Sequence, residues 1–130
     1  MNMSLGLLKF LITFILLTFT FNLNSSSLEG GKVLLQILDK ITAKVSTLEI
    51  NVNESINYGS LIIEVYACFK KPPEEVPEDY VLLKIYDQLS QNNNKLIFQG
   101  WMIRSSPDIT PLEHPIYDLW LKDCIILNEF

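Results

Sequence analysis

The apolar residues of this chain recur at every second position, and that period decides what it can fold into. Leu61, Ile63, Val65, Ala67 and Phe69 form one series, with Ile62, Glu64, Tyr66, Cys68 and Lys70 between them. Val33, Leu35, Ile37 and Ile41 form another, and Val81, Leu83 and Ile85 a third. Leu96, Phe98, Gly100 and Met102 interleave with Ile97, Gln99, Trp101 and Ile103. In the last series Tyr117, Leu119, Leu121, Ile125 and Leu127 share one parity, against Asp118, Trp120, Lys122 and Cys124. A period of two places successive side chains on opposite faces of a strand, whereas a helix needs 3.6. No convincing helical period follows residue 27. The expected fold is therefore all-β, a small single-domain barrel or sandwich of about six to eight short strands.

The interruptions locate the connections. Ala43 and Val45 point one way and Leu48, Ile50 and Val52 the other, which predicts a bulge or bend near Ser46 and Thr47. NESINYG (53–59) reads as a turn. KPPEEVPED (71–79) carries Pro72, Pro73 and Pro77, which remove backbone donors and exclude a central strand. It reads as a loop with extended, polyproline-like stretches. QNNNK (91–95) is a polar connector, SSPDITPLEHP (105–115) is irregular, and IILNEF (125–130) is a short, fraying tail. Parity puts both cysteines opposite the main apolar faces of their strands. A bond between them is then expected on that second side, covered by Tyr66 and Trp120.

The amino-terminal segment has a different pattern. Met1 to Lys9 has one basic side chain and no acid, and FLITFILLTFTF (10–21) is an apolar run interrupted only by threonines. Asn24 and Ser25 to Ser27 follow. This is the layout of a secretory signal helix over residues 1–27, with Ser25 and Ser27 as the small residues before a cleavage site. The mature domain is then 28–130. The rival reading is a retained anchor over 5–23, which Lys9 interrupts. No cysteine near the site supports a lipoprotein signal. An exported, periplasmic location is expected, with membrane contact only through this segment if it stays uncleaved.

Composition narrows the function classes. Fifteen acidic residues face ten basic ones, for a net charge of −5. Such a chain lacks the basic footprint of a nucleic-acid binder or of a surface that clings to anionic lipid. The two cysteines of an exported domain read as a Cys68–Cys124 disulfide, the alternative being two separate buried thiols. The chain-entropy model gives a link closing about 57 residues roughly 4 kcal/mol. Two cysteines and one histidine are too few for a closed structural metal site. No metal or other cofactor is expected.

Chemistry-bearing residues cluster between Gly100 and Cys124. His114 is the one side chain there suited to proton transfer near neutral pH. With Asp118, and Ser105 and Ser106 nearby, it outlines a hydrolase reading, but triads are defined by geometry rather than spacing. The plainer reading seats His114 in a turn between Glu113 and Pro115. Trp101, Trp120 and Tyr66, with His114 and Asp118 beside them, form a candidate binding face. The competing reading of the aromatics is a second small core over the disulfide. The stretch from Lys70 to Glu75 is either a stiff docking loop for a partner or a solvated connector. A redox role for the cysteines is disfavoured because they lack the C-x-x-C spacing.

Several segments resemble one family. LDKITAKVSTLEI (38–50), YGSLIIEVYACFKKPPEE (58–75), IFQGWM (97–102), SSP (105–107) and LEHPIYDLWLKDC (112–124) are similar, in order, to the DUF2155 family of alphaproteobacterial exported proteins of unknown function. The resemblance implies an exported, single-domain, mostly β protein with its cysteines paired. It offers no catalytic residue to transfer. The expected role is a non-enzymatic structural or binding module with an envelope-protein or cell-wall partner. The alternative is a hydrolase using His114 and Asp118.

Overall fold

The computed structural model describes residues 4–18, 26–89 and 93–127. A helix, α1 (Leu5–Thr18), precedes eight strands: β1 (Leu28–Glu29), β2 (Lys32–Asp39), β3 (Lys44–Asn51), β4 (Ser55–Tyr58), β5 (Leu61–Lys70), β6 (Asp79–Asp87), β7 (Lys95–Ile103) and β8 (Tyr117–Ile125). They form two antiparallel sheets. One runs β1-β5-β6-β7, with β4 also paired to β5; the other runs β3-β2-β8. The expected all-β architecture is present as a sandwich. Its core lies between the sheets, with Leu61, Ile63, Val65, Val81, Leu83 and Ile85 from one and Val33, Leu35, Ile37, Leu119 and Leu121 from the other. Each such side chain, fully buried, contributes about 1.5–3 kcal/mol.

Three bulges shape the sheets. Tyr66 is the extra residue on β5, Lys122 on β8 and Ile97 on β7. A single inserted residue flips every later side chain to the other face. Cys68 follows Tyr66, and Cys124 follows Lys122, so both turn inward. Their disulfide lies fully buried in the core, with a Cα–Cα distance of 5.9 Å, and joins β5 of one sheet to β8 of the other. This corrects the parity expectation, which put the bond on the opposite side under Tyr66 and Trp120. Phe69 and Ile125 turn outward by the same flips. The residue that covers the disulfide is Gly30, whose Cβ, if it had one, would collide with both sulfurs.

Other local expectations are also revised. No bulge interrupts β3 at Ser46–Thr47, since its pairing with β2 runs without a shift from Lys44 to Asn51. Val45 sits on the outer face opposite Leu38, and the core position belongs to Ser46, whose hydroxyl accepts from Tyr58. Ile41 lies exposed beyond the end of β2 rather than in its apolar face. Residues 55–58, read as turn, form β4; the turn itself is carried by Asn53 at φ 68°. Gly59, at φ 55°, closes the β4–β5 hairpin against the Tyr117 ring. Inside the amino-terminal segment, α1 buries none of its residues. Among the described residues no helix is long and apolar enough to cross a membrane. Asn24 and Ser25 of the expected cleavage region, residues 91 and 92 of the polar connector and residues 128–130 of the tail lie outside the described residues, and Lys95, read as connector, opens β7.

Candidate functional site

The irregular strap from Arg104 to Ile116 brings His114 under the sandwich edge, where it is buried. Its Nδ1 accepts the backbone N–H groups of Ile116 and Tyr117, both at 3.1 Å. Nε2 therefore carries the proton and donates to Asp87 Oδ2 at 3.0 Å. The ring stacks on Tyr117 at 5.3 Å. Burial tends to raise the Asp87 carboxyl, but the Leu89 N–H and His114 outweigh it and hold it below the usual range. Both ring nitrogens are thus committed to closing the strap, which leaves no atom for proton transfer to a substrate. The turn reading of His114 matches this geometry, with Asp87 as the partner that sequence spacing does not reveal.

Asp118 does not join His114's side chain. It lies on the outer face of β8 and pairs with Lys40 Nζ at 2.8 Å, while the same ammonium donates to the His114 carbonyl at 2.9 Å. Ser105 donates to Glu78 from both its hydroxyl and its backbone N–H, the latter at 3.1 Å. Burial pushes Glu78 up, but these bonds prevail and hold it below its ordinary value. Serine, histidine and aspartate of the hydrolase outline are therefore held in separate contacts.

The proposed aromatic face is divided between the two outer surfaces of the sandwich. Trp120 lies on the β3-β2-β8 sheet, its indole N–H donating to Gln36 at 3.0 Å. Tyr66, at the β5 bulge, and Trp101, on β7, lie on the other sheet. Tyr66 donates to Glu64 at 2.6 Å, and the adjacent carboxylate pushes its hydroxyl up to about 12. Lys84 covers the Tyr66 ring at 5.3 Å. His114 is buried and belongs to neither surface.

Trp101 has unforeseen company. The Tyr66 bulge turns Phe69 outward, and its ring meets Trp101 at 5.8 Å. Tyr80 pairs across the strands with Phe69 and completes the wall. With these rings, Lys71, Pro72 and Glu75 from the proline loop and Ser27 line a groove of about 400 Å3. The loop is held at both ends. Lys71 N–H donates to the Glu78 carbonyl at 2.9 Å, Glu75 N–H to that of Pro72 at 3.0 Å, and Lys71 pairs with Glu75 at 3.8 Å. Its acids Glu74 and Glu75 and its tip residue Val76 are exposed. The parity reading placed Phe69 in the core, so this groove was hidden by one bulge.

The other side of the loop holds a charged cluster. Asp79, the first residue of β6, is buried and accepts the Cys124 N–H at 2.9 Å. Burial pushes its carboxyl up. Lys70 lies 3.7 Å away and Arg104 3.8 Å, and Lys70 donates to Asp123 at 2.7 Å. Lys70 is raised by that bond; Asp123, despite burial, is held low by Lys70. The carboxylate satisfies a backbone donor on the open edge of β8, so Asp79 links the two sheets beside the disulfide. Sequence gave it no signal beyond its place after the prolines.

Fold and surface together define a disulfide-stapled antiparallel sandwich with an aromatic groove and no assembled catalytic group among the described residues. The chain belongs to the family described as uncharacterized protein conserved in bacteria (DUF2155), whose family model matches residues 33–124. It is 33% identical over 95 residues to an uncharacterized protein of Rickettsia prowazekii (strain Madrid E). The match takes in 73% of this chain and 60% of that protein, so the chain spans under two thirds of its relative's length. No solved structure matches it.

Proposed function

We propose that this protein is an exported, non-catalytic binding module of the cell envelope that engages its partner through the groove of Phe69, Tyr80 and Trp101. The observation that carries this reading is the placement of three aromatic rings on the outer face of a sheet, walled by a braced proline loop. An outer sheet face in a sandwich is ordinarily polar. Aromatic side chains give the largest contact area at low entropic cost and anchor interfaces. Export is supported by the apolar amino-terminal segment and by the buried disulfide, a bond that persists in oxidising compartments. The hydrolase alternative gains no support from His114, whose nitrogens are both taken.

The test is site-specific photocrosslinking in intact cells. A photoreactive residue at Tyr80 or Phe69 is expected to give a discrete adduct in the envelope fraction, and one at Trp120 none. Adducts from Trp120 alone, or from no position, would contradict the groove reading.

A further inference from the structure

The groove's hydrogen-bonding character points to its ligand. Among the described residues nothing accepts from the indole N–H of Trp101 or the hydroxyl of Tyr80, whereas the Trp120 N–H is taken by Gln36. The Trp101 N–H and the Tyr80 hydroxyl therefore stand in the groove wall as donors. The Lys71 ammonium and the Glu75 carboxylate that also line it are paired with each other. A polyproline II strand brings carbonyl acceptors and, at proline, no N–H at all. Its rings fit slots lined by aromatic side chains, and the groove sets an aromatic wall opposite Pro72.

Charge selects further. Glu74 and Glu75 stand together on the loop, and Lys71 offsets only one of them. Taking the groove as the binding site proposed above, we infer that it recognises a proline-rich segment in the polyproline II conformation with a basic residue next to the prolines. The segment belongs to a partner protein. One polyproline II turn advances about 9 Å, so about one turn fills a space of this size, and the flanking cation reaches the loop acids.

The experiment uses the full chain in mild detergent with Trp120→Phe, which leaves Trp101 as the sole indole of the two in the sequence. The probes are a peptide of about six prolines ending in a pair of arginines, its counterpart ending in alanines, and chitotetraose. The arginine peptide is expected to shift Trp101 emission to the blue and to saturate, binding at least about fivefold more tightly than the alanine peptide. Replacing Glu74 and Glu75 together by lysine is expected to erase that preference. Measured by calorimetry, Trp101→Ala should abolish binding, and Trp101→Phe, which keeps a ring but loses the donor, should weaken it about two- to tenfold.

Equal binding of the two peptides would overturn the basic-residue requirement. A response to chitotetraose and not to the peptides would overturn the polyproline proposal while leaving the groove as a binding site. Silence from every probe, with a discrete photocrosslink at Tyr80 in cells, would do the same. Silence from every probe together with no crosslink would overturn both.

Discussion

Single residues set the tightest constraints. Gly30 lies flat against both sulfurs, and any side chain there must displace the disulfide or the strand that covers it. Gly30→Ala is expected to cost about 1–3 kcal/mol, lowering the melting temperature by about 4–8 °C per kcal/mol for a domain of this size; calorimetric melting measures it. Asp79→Ala leaves the Cys124 N–H without its acceptor in a buried place, at a cost of about 1–3 kcal/mol. His114→Ala should destabilise by a similar amount through loss of the two backbone bonds and the Asp87 contact. Neither the parent nor this variant is expected to turn over ester, peptide or glycan substrates. A purified parent that turned such a substrate over, and lost that activity with His114→Ala, would refute the structural role.

At the scale of strands, the alternation of apolar residues was legible and the breaks in it were not. Leu61, Ile63 and Val65 announce β5, and Tyr117, Leu119 and Leu121 announce β8, because each face is read from parity alone. A bulge adds one residue without changing composition, so Tyr66 and Lys122 carry no sequence mark. The consequence is systematic: parity alone assigns both cysteines and Phe69 to the wrong face. The Cys68–Cys124 pairing survived because it rested on count and compartment, not on parity. The Ser46–Thr47 break misled for the opposite reason, since a small polar residue in a core position mimics a change of phase. His114's partner is invisible in the sequence because Asp87, at the end of β6, is far away along the chain and the strap delivers His114 to it. A deletion isolates the bulge. Removing Tyr66 restores strict alternation and turns Cys68 outward, so two titratable thiols are expected under denaturing, non-reducing conditions. Tyr66→Ala keeps the extra residue and should show none.

Across the whole molecule, the carboxylates set the response to acid. Asp87, Asp123 and Glu78 are held below their ordinary values in the folded protein. Groups of that kind contribute stability above their unfolded pKa and lose it as pH falls through the folded one. Asp79 is pushed up, so its contribution has the opposite sign and fades as pH rises through its folded value. Denaturant midpoints are therefore expected to fall on acidification below the ordinary carboxylate range, and Asp87→Asn should flatten that limb. The disulfide, linking residues 56 positions apart across the two sheets, adds roughly 4 kcal/mol, a large share of a small domain's stability.

The role proposed for the groove is recognition rather than stability, and the two can be separated. Trp101 is 42% exposed on an outer face, so its loss should leave the sandwich intact. The deciding measurement places a photocrosslinker at Tyr80 in the full chain and compares Trp101 with Trp101→Ala in cells, with melting curves of both proteins. Closely similar melting temperatures and loss of the adduct are expected. An adduct that persists unchanged, or a melting temperature that falls by many degrees, would contradict that role.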